Sequence, residues 1–195
     1  MVQLSSVAAN QPSGTGPIVG LYHNERTLNA AAENVTHLRP AYFMENTLMQ
    51  TGTVGSMGQM FTTLSGDKSF PMIATADIAD RAVALLTRRD WTGSRVVELM
   101  GPEDLSYNRV AEVLSEVLGR RVTHTTVPGN ALIESIVQMG GSRHMAEMLL
   151  ELSNGIESGH IHFNGPRDDS SRTPTTYRTF AEQVFKPALL ASTAS

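Results

Sequence analysis

The sequence predicts an α/β fold with parallel strands, followed by a smaller lobe that is richer in helix. Two observations lead to this prediction. Short apolar runs alternate with segments of helical spacing, which is typical of a parallel sheet with crossover helices. From about Leu105 onward, helical segments predominate. The length of 195 residues, 41% of them hydrophobic, is sufficient for a domain with a buried core.

Four strands are predicted in the first half of the chain. Each is a short apolar run bounded by Gly, Pro or polar residues, and they span 2–5, 35–38, 70–74 and 95–100. The run at 2–5 is expected to be buried. A loop rich in Gly, Pro and Ser follows it, and the segment 51–68, rich in glycine, is expected to be irregular.

Two helices are predicted between these strands, at 18–33 and 77–88, and segment 41–50 is expected to be partly helical. Apolar residues such as Leu21 and Leu28 are expected to form the buried face of the first helix. Asp77 is predicted to cap the second.

The C-terminal part is predicted to be mainly helical. Ser106 has the chemistry of an N-cap for a helix over 107–118, and Gly119 stands where a terminating glycine belongs. A strand at 122–127 precedes helices at 130–139, 143–152 and 174–190, with a frayed tail over 191–195. We therefore divide the chain into 1–104 and 105–195, as two parts of one continuous unit.

Composition excludes several classes of function. There is no cysteine, which excludes disulfides, thiol catalysis and cysteine-ligated zinc, and a cytoplasmic location is expected. No apolar run approaches about 18 residues, so no membrane span is expected. The formal charge is −4 with no basic run, so no nucleic-acid partner is expected. His160 and His162 form an H-x-H pair without a third ligand nearby, so no metal is expected.

The stretch GTGPIVG, from Gly14 to Gly20, invites comparison with a dinucleotide-binding loop. That fingerprint requires G-x-G-x-x-G directly after a strand. Here Val19 takes the third glycine place and several residues separate the motif from the strand. A flexible loop before a helix is therefore the favoured interpretation, with a cofactor loop as the alternative.

Several segments have a more specific pattern, namely HLRPAYFMEN, IATADIADRAV, VVELMGPEDLSYNRVAEVL and RTPTTYRTFAEQV. In combination they resemble the NmrA-like branch of the atypical short-chain dehydrogenase/reductase superfamily, over nearly the whole chain. The resemblance implies a truncated Rossmann-like parallel sheet with a smaller helical C-terminal lobe. It also implies that the family's phosphate-binding glycine loop would lie upstream of Met1, so that GTGPIVG would lie beside the nicotinamide and substrate.

The resemblance implies an NAD(P) cofactor and a small set of site residues. Ser5 ends the first strand where family hydroxyls face the cofactor, and Arg39, Pro40 and Asn46 follow or end the second. We expect these four residues to contact the cofactor. Tyr42 and Phe43 are expected in the same wall of the cleft.

Ser6 and Tyr22 are the candidate catalytic residues. Superfamily reductases use a Tyr-x-x-x-Lys pair, and the corresponding YHNER places Arg26 four residues after Tyr22. The position where many NmrA-like enzymes carry a catalytic lysine falls near Leu21, which weakens a dehydrogenase assignment. Glu25 matches a recurrent helix glutamate of the family.

Three interpretations stay open at this point. The first is an NAD(P)-dependent oxidoreductase that acts on a small carbonyl, quinone or azo compound. The second is a non-catalytic redox-sensing module that binds dinucleotides. The third is a truncated remnant without cofactor function. In each case the strand at 2–5 would lie at an open sheet edge, which predicts a homo-oligomer or another covering chain.

Overall fold

Eight strands and eight α-helices are present in the computed structural model, which describes residues 1–88 and 90–193. The strands are β1 (Val2–Leu4), β2 (Val35–Pro40), β3 (Tyr42–Phe43), β4 (Gln59–Thr62), β5 (Phe70–Ile73), β6 (Ser94–Leu99), β7 (Asp104–Leu105) and β8 (Thr123–Thr126). The helices are α1 (Val19–Ala31), α2 (Thr51–Met57), α3 (Thr75–Thr87), α4 (Tyr107–Leu118), α5 (Gly129–Gln138), α6 (Arg143–Ser158), α7 (Tyr177–Phe180) and α8 (Lys186–Thr193). Short 3-10 helices span Gly16–Ile18 and Met44–Gln50, and a π-helical turn spans Ala181–Phe185.

The central sheet is parallel and has the order β1-β2-β6. All six residues of β2 are buried, because strands flank it on both sides and helices cover both faces. His37 and Arg39 face α1, whereas Leu38 packs on the other face with Val97 and α3. The predicted α/β class with parallel strands is confirmed.

Smaller sheets connect the two halves of the chain. β3 pairs in parallel with β5, and β5 pairs antiparallel with β7. β4 pairs in parallel with β8, with Met60 opposite His124. The larger hydrophobic cluster takes residues from both halves, among them Met60, Leu114 and Phe185. The division at 104/105 stays a prediction, but strand pairing crosses it twice.

Several elements differ from the sequence-based prediction. Segment 51–68 is not irregular, since it contains α2 and β4. β1 is not buried as predicted, because it lies at the edge of its sheet. Leu4 is 53% exposed. The last helical segment begins at Tyr177, where Thr176 Oγ1 accepts a hydrogen bond from Thr179 N.

The capping prediction is confirmed for α4 and wrong for α3. Ser106 Oγ accepts from Arg109 N, and Gly119 ends α4 with a φ of 66°, both as predicted. Asp77 does not cap α3. Its carboxylate accepts instead from the backbone and the hydroxyl of Thr175, 98 residues away, and Glu45 Oε1 accepts from Thr75 N at the start of the helix.

Helix α1 is tied to the sheet by polar groups rather than by the expected apolar face. Leu21 and Leu28 are only half-buried, and the buried residue of α1 is Glu25.

Tail residues 191–193 continue α8, and positions 194 and 195 lie outside the described residues. Within the described ranges, no helix combines the length and apolar character that crossing a membrane requires.

The glycines of GTGPIVG bring this loop against α6. Gly14 and Gly16 have φ angles of 77° and 58°, in the region that favours glycine. A Cβ atom on Gly16 would lie 2.1 Å from Met148 O, and one on Gly155 would lie 2.9 Å from Gly14 O. The loop therefore uses its glycines for close packing on a helix, whereas the favoured interpretation describes a flexible loop.

Replacing Gly16 tests this packing. We expect Gly16→Ala to lower the free energy of unfolding by at least about 2 kcal/mol, because the left-handed backbone and the overpacked contact are both unfavourable for alanine. The matched control is Gly20→Ala in α1, where a Cβ meets nothing within 4 Å. That variant should be neutral or more stable in urea denaturation. Equal stability of the two variants would contradict the proposed packing role.

Candidate functional site

An apolar pocket lies at the carboxyl ends of β1 and β2. In open parallel sheets, ligands bind in the crevice outside these strand ends. The pocket has a volume of about 170 Å³. Its walls come from the residues after β1, the residues after β2, the GTGPIVG segment, β5, α6 and the segment that follows α6. The lining includes Ser6, Val7, Ile18, Ala41, Tyr42, Phe43, Asn46, Phe70, Pro71, Ile156, Ile161, His162 and Phe163. The fold thus brings together segments that are more than 100 residues apart.

Two tyrosines support the floor of this pocket. Tyr42 Oη lies 3.1 Å from Tyr107 Oη, and the Asn46 side chain also hydrogen-bonds Tyr42. Burial raises the pKa of Tyr42, although its hydrogen bonds to Tyr107 and Asn46 act in the opposite direction. Burial likewise raises the pKa of Tyr107 well above its ordinary value. Both phenols therefore remain neutral hydrogen-bonding groups.

The Tyr107 ring stacks on a half-buried histidine, His124. The ring centroids of Tyr107 and His124 are 5.2 Å apart with an interplanar angle of 20°. His124 Nε2 lies 2.8 Å from Thr62 Oγ1, and burial lowers the pKa of His124. The imidazole is thus neutral near pH 7, so the pocket floor carries no charge from this cluster.

A buried ion pair lies behind the pocket. Arg39 Nε donates to Glu25 Oε1 at 2.9 Å, and Arg39 Nη2 donates to Glu25 Oε2 at 2.5 Å. Ser5 Oγ also donates to Glu25 Oε1, at 2.5 Å. Arg39 Nη1 donates to Asn10 Oδ1 at 3.4 Å. This two-point contact fixes the ends of β1 and β2 against α1.

The ion pair sets the charge state of Glu25. Burial acts to raise the pKa of Glu25, but hydrogen bonds from Arg39 and Ser5, with the positive charge of Arg39, outweigh burial and lower it below the ordinary value. The neighbouring His37 is also buried, and desolvation lowers its pKa. Glu25 therefore stays ionised, and His37 stays neutral, near pH 7.

The predicted site residues fall into three groups. Ser6 and Asn46 lie in the pocket wall. Ser5 and Arg39 are engaged with Glu25 behind it, and the Pro40 carbonyl accepts from Val7 N at the end of β2. Tyr22 is half-buried on α1 outside the pocket wall, with the Arg26 guanidinium 5.4 Å from its ring centroid. Arg26 thus lies over the ring face of Tyr22.

Sequence reasoning missed three features of the site. It assigned no partner to Glu25, and it did not connect Tyr107 or His162 with the pocket. Tyr107 and Tyr42 are 65 positions apart, and nothing in the local pattern of either indicates the contact. A glutamate on a helix opposite a strand arginine was the one available signal, since a buried arginine needs a partner.

The histidines of H-x-H are engaged with backbone carbonyls. His160 Nε2 lies 3.0 Å from Ser13 O, and His162 Nδ1 lies 3.1 Å from both Gly159 O and His160 O. Because both neighbours of His162 Nδ1 are acceptors, this nitrogen carries the proton. In the described part of the chain, no three His, Asp or Glu side chains are placed to hold a metal ion.

Ser6 and Asn46 are polar side chains of this mainly apolar wall that could hold a nicotinamide carboxamide or a substrate carbonyl. The GTGPIVG loop does not suit a pyrophosphate, because Gly16 already touches the backbone of α6. A separate open groove of about 950 Å³ runs along β6 and is lined by Arg81, Arg88 and Arg95, and by Arg39 near the end of β2.

Comparisons with known proteins identify relatives. A model of the NmrA-like family matches residues 22–183. Festuclavine synthase II of Penicillium roqueforti is 35% identical over 152 residues, covering 74% of this chain and 52% of the relative. The NAD(P)H azoreductase of Xenophilus azovorans is 27% identical over 145 residues, covering 74% of this chain and 49% of the relative. This chain therefore spans about half the length of these relatives.

The fold is also that of a solved enzyme. The structure of the NADPH-dependent quinone oxidoreductase from Escherichia coli superposes with a TM-score of 0.77, over 94% of this chain and 66% of that one. The sequences are 22% identical, so this likeness concerns the fold. It confirms the predicted Rossmann-like architecture.

Removing the charge of Glu25 tests the ion pair. We expect Glu25→Gln to lower the free energy of unfolding at pH 7 by about 3–5 kcal/mol, because Arg39 is left buried without its counter-ion. The pKa of Glu25 is lowered on folding, so the pair stabilises the wild type above the unfolded value of 4.5. This stabilisation is lost as the pH falls from that value through the folded pKa.

The difference between wild type and Glu25→Gln should therefore shrink below pH 4.5 in urea denaturation. Glu33→Gln is the control, since Glu33 is exposed, and it should change stability by less than about 0.5 kcal/mol. A difference that is independent of pH would contradict the role assigned to the carboxylate.

Proposed function

This chain belongs to the NmrA-like family, and on that premise we propose that it is an NAD(P)-dependent oxidoreductase acting on a small carbonyl, quinone or azo compound. The observation that supports the proposal is the apolar pocket at the carboxyl ends of β1 and β2, with few polar groups in its wall. Relatives of this chain include an NAD(P)H azoreductase, and a quinone oxidoreductase shares its fold.

The side chains around the pocket have separable roles in this proposal. A bound NAD(P)H supplies a hydride to the substrate. Asn46 orients the carboxamide or the substrate carbonyl, held in place by its hydrogen bond to Tyr42. Ser6 donates a hydrogen bond to the substrate oxygen or nitrogen, where negative charge develops on reduction. Phe43 and Phe163 exclude water from the reacting atoms.

Three predicted residues act differently in this proposal. Ser5 and Arg39 position the pocket through Glu25 rather than by touching the cofactor. Pro40 ends β2 and fixes the Ser6–Val7 segment through the bond from Val7 N to its carbonyl. Tyr22 stays the alternative proton donor, in competition with Ser6.

Calorimetric titration with NADPH and NADH is the first test. Micromolar binding supports the proposal, and quinone and azo substrates are then screened for reduction.

We expect Ser6→Ala to lower kcat/KM about tenfold, as the loss of one hydrogen bond near developing charge predicts. Ser56→Ala is the control, because its hydroxyl bonds Gly52 O within α2. That variant and Tyr22→Phe should keep full activity.

Each other outcome has a definite meaning. Activity lost in Tyr22→Phe but retained in Ser6→Ala would move the proton donor to α1. Binding of either dinucleotide without turnover of any substrate would favour the redox-sensing module. No binding up to millimolar concentration would contradict both proposals for this chain alone, and would favour the third interpretation, a chain without cofactor function.

We also propose that the open edge of β1 pairs with another chain, giving a homo-oligomer. Within the described residues, β1 has β2 on one side and no strand on the other. Ser5 N and Met1 O bond to β2, so by alternation the N–H and C=O groups of Val2 and Leu4 face the open side. The Leu4 side chain is 53% exposed beside them. Such an edge is a template for strand pairing.

Leu4→Pro tests this edge, because proline removes the outward N–H and keeps the bonds to β2. We expect light scattering to show an oligomer for the wild type and a monomer for Leu4→Pro, with unchanged circular dichroism. The control Leu4→Thr keeps the N–H and should remain oligomeric. A wild type that is monomeric at every concentration would refute this edge as the interface.

A further inference from the structure

A second cavity adjoins the apolar pocket. It has a volume of about 350 Å³. Six residues line both cavities: Phe70, Pro71, Ile156, Ile161, His162 and Phe163. The far walls of the two cavities differ in character. The first is apolar, whereas the second carries the side chains of Lys68, Arg167 and Asp104.

The two cations of the second cavity have unused hydrogen-bonding capacity. Arg167 contacts Asp104 through Nη2 alone, although a guanidinium can form two parallel bonds with one carboxylate. Its Nε is buried and has no hydrogen-bond partner. Lys68 forms no side-chain hydrogen bond or ion pair with any described residue, and its neighbour Glu157 is engaged with Ser65 N and Oγ.

The lining of this cavity has more cations than carboxylates. Among its described residues Lys68 and Arg167 are positive and Asp104 is the single carboxylate, while the carboxylates of Glu157 and Glu98 lie just outside it, beside Lys68 and on Gly165 N. His162 stands between the cavities with its Nδ1 proton directed at backbone carbonyls, so its Nε2 is an acceptor when the ring is neutral. A lining with two cations beside an apolar pocket favours a ligand with an apolar end and an acidic end.

We propose that the substrate is an aromatic or otherwise planar apolar compound that carries an acidic group, a carboxylate or a sulfonate. The ring occupies the apolar pocket, and the acidic group reaches past His162 to Lys68 and Arg167. This inference rests on the proposed function, since it takes the apolar pocket as the substrate site. Lys68 and Arg167 would then recognise the substrate at a place away from its reacting atoms.

Calorimetry with 2-naphthoate and its neutral isostere 2-naphthamide tests the proposal on the full chain. We expect naphthoate to bind about tenfold more tightly than naphthamide, as one charge-assisted contact predicts. Lys68→Met and Arg167→Met should each remove most of this preference without changing the affinity for naphthamide. The unchanged naphthamide affinity then shows that the pocket has folded.

Two controls separate charge from structure. Arg88→Met removes an exposed arginine paired with Asp90, away from both cavities, and should leave the preference intact. Arg167→Lys keeps the charge and should retain part of it. The preference should also weaken as ionic strength rises.

The outcomes that overturn the proposal are distinct from those that overturn the proposed function. Equal binding of naphthoate and naphthamide overturns the acidic-substrate proposal and leaves the apolar pocket as the substrate site. A preference that survives both Lys68→Met and Arg167→Met overturns the assignment to this cavity. If neither compound binds up to millimolar concentration, the substrate pocket itself is refuted.

Discussion

The buried ion pair between Glu25 and Arg39 is the interaction on which the candidate site depends. Glu25 is the buried residue of α1, so this helix docks on the sheet through a charge rather than through an apolar stripe. Its carboxylate holds Ser5 at the end of β1 and Arg39 near the end of β2. Ser6 and Ala41, just beyond these two residues, lie in the pocket wall. An ion pair of this kind adds little stability compared with apolar packing, but losing one partner is costly, and so it enforces one geometry.

The opposite wall depends on a second constraint, the close approach of the GTGPIVG loop to α6. Gly14 and Gly16 on one side and Gly155 on the other leave no room for side chains. This contact brings the end of α6 and the following segment, with Ile161 and His162, over the strand ends. The pocket is thus built from two rigid contacts, one electrostatic and one steric, that hold its walls from opposite sides.

Local chemistry determined which parts of this architecture were predictable. β5 and the VVEL part of β6 are rich in apolar residues, and Ser106 and Gly119 mark α4 by rules that act within one turn. Segment 51–68 was missed because its glycines lower both propensities, and pairing of β4 with β8 overrides them. Ser6 and Asn46 could be placed by family resemblance. The Tyr42–Tyr107 contact and the Arg167 cavity could not, because each joins residues distant in sequence.

The two cavities differ in charge because their linings come from different residues. Burial favours the neutral forms of three groups near the apolar pocket, since it raises the pKa of Tyr42 and Tyr107 and lowers that of His124. Arg39 lies close behind the wall, but its charge is matched by Glu25. The cations Lys68 and Arg167, the latter paired with Asp104, lie beyond His162 in the second cavity. A ligand with one charge at one end thus has a single favoured orientation, and that orientation presents its ring to Ser6 and Asn46.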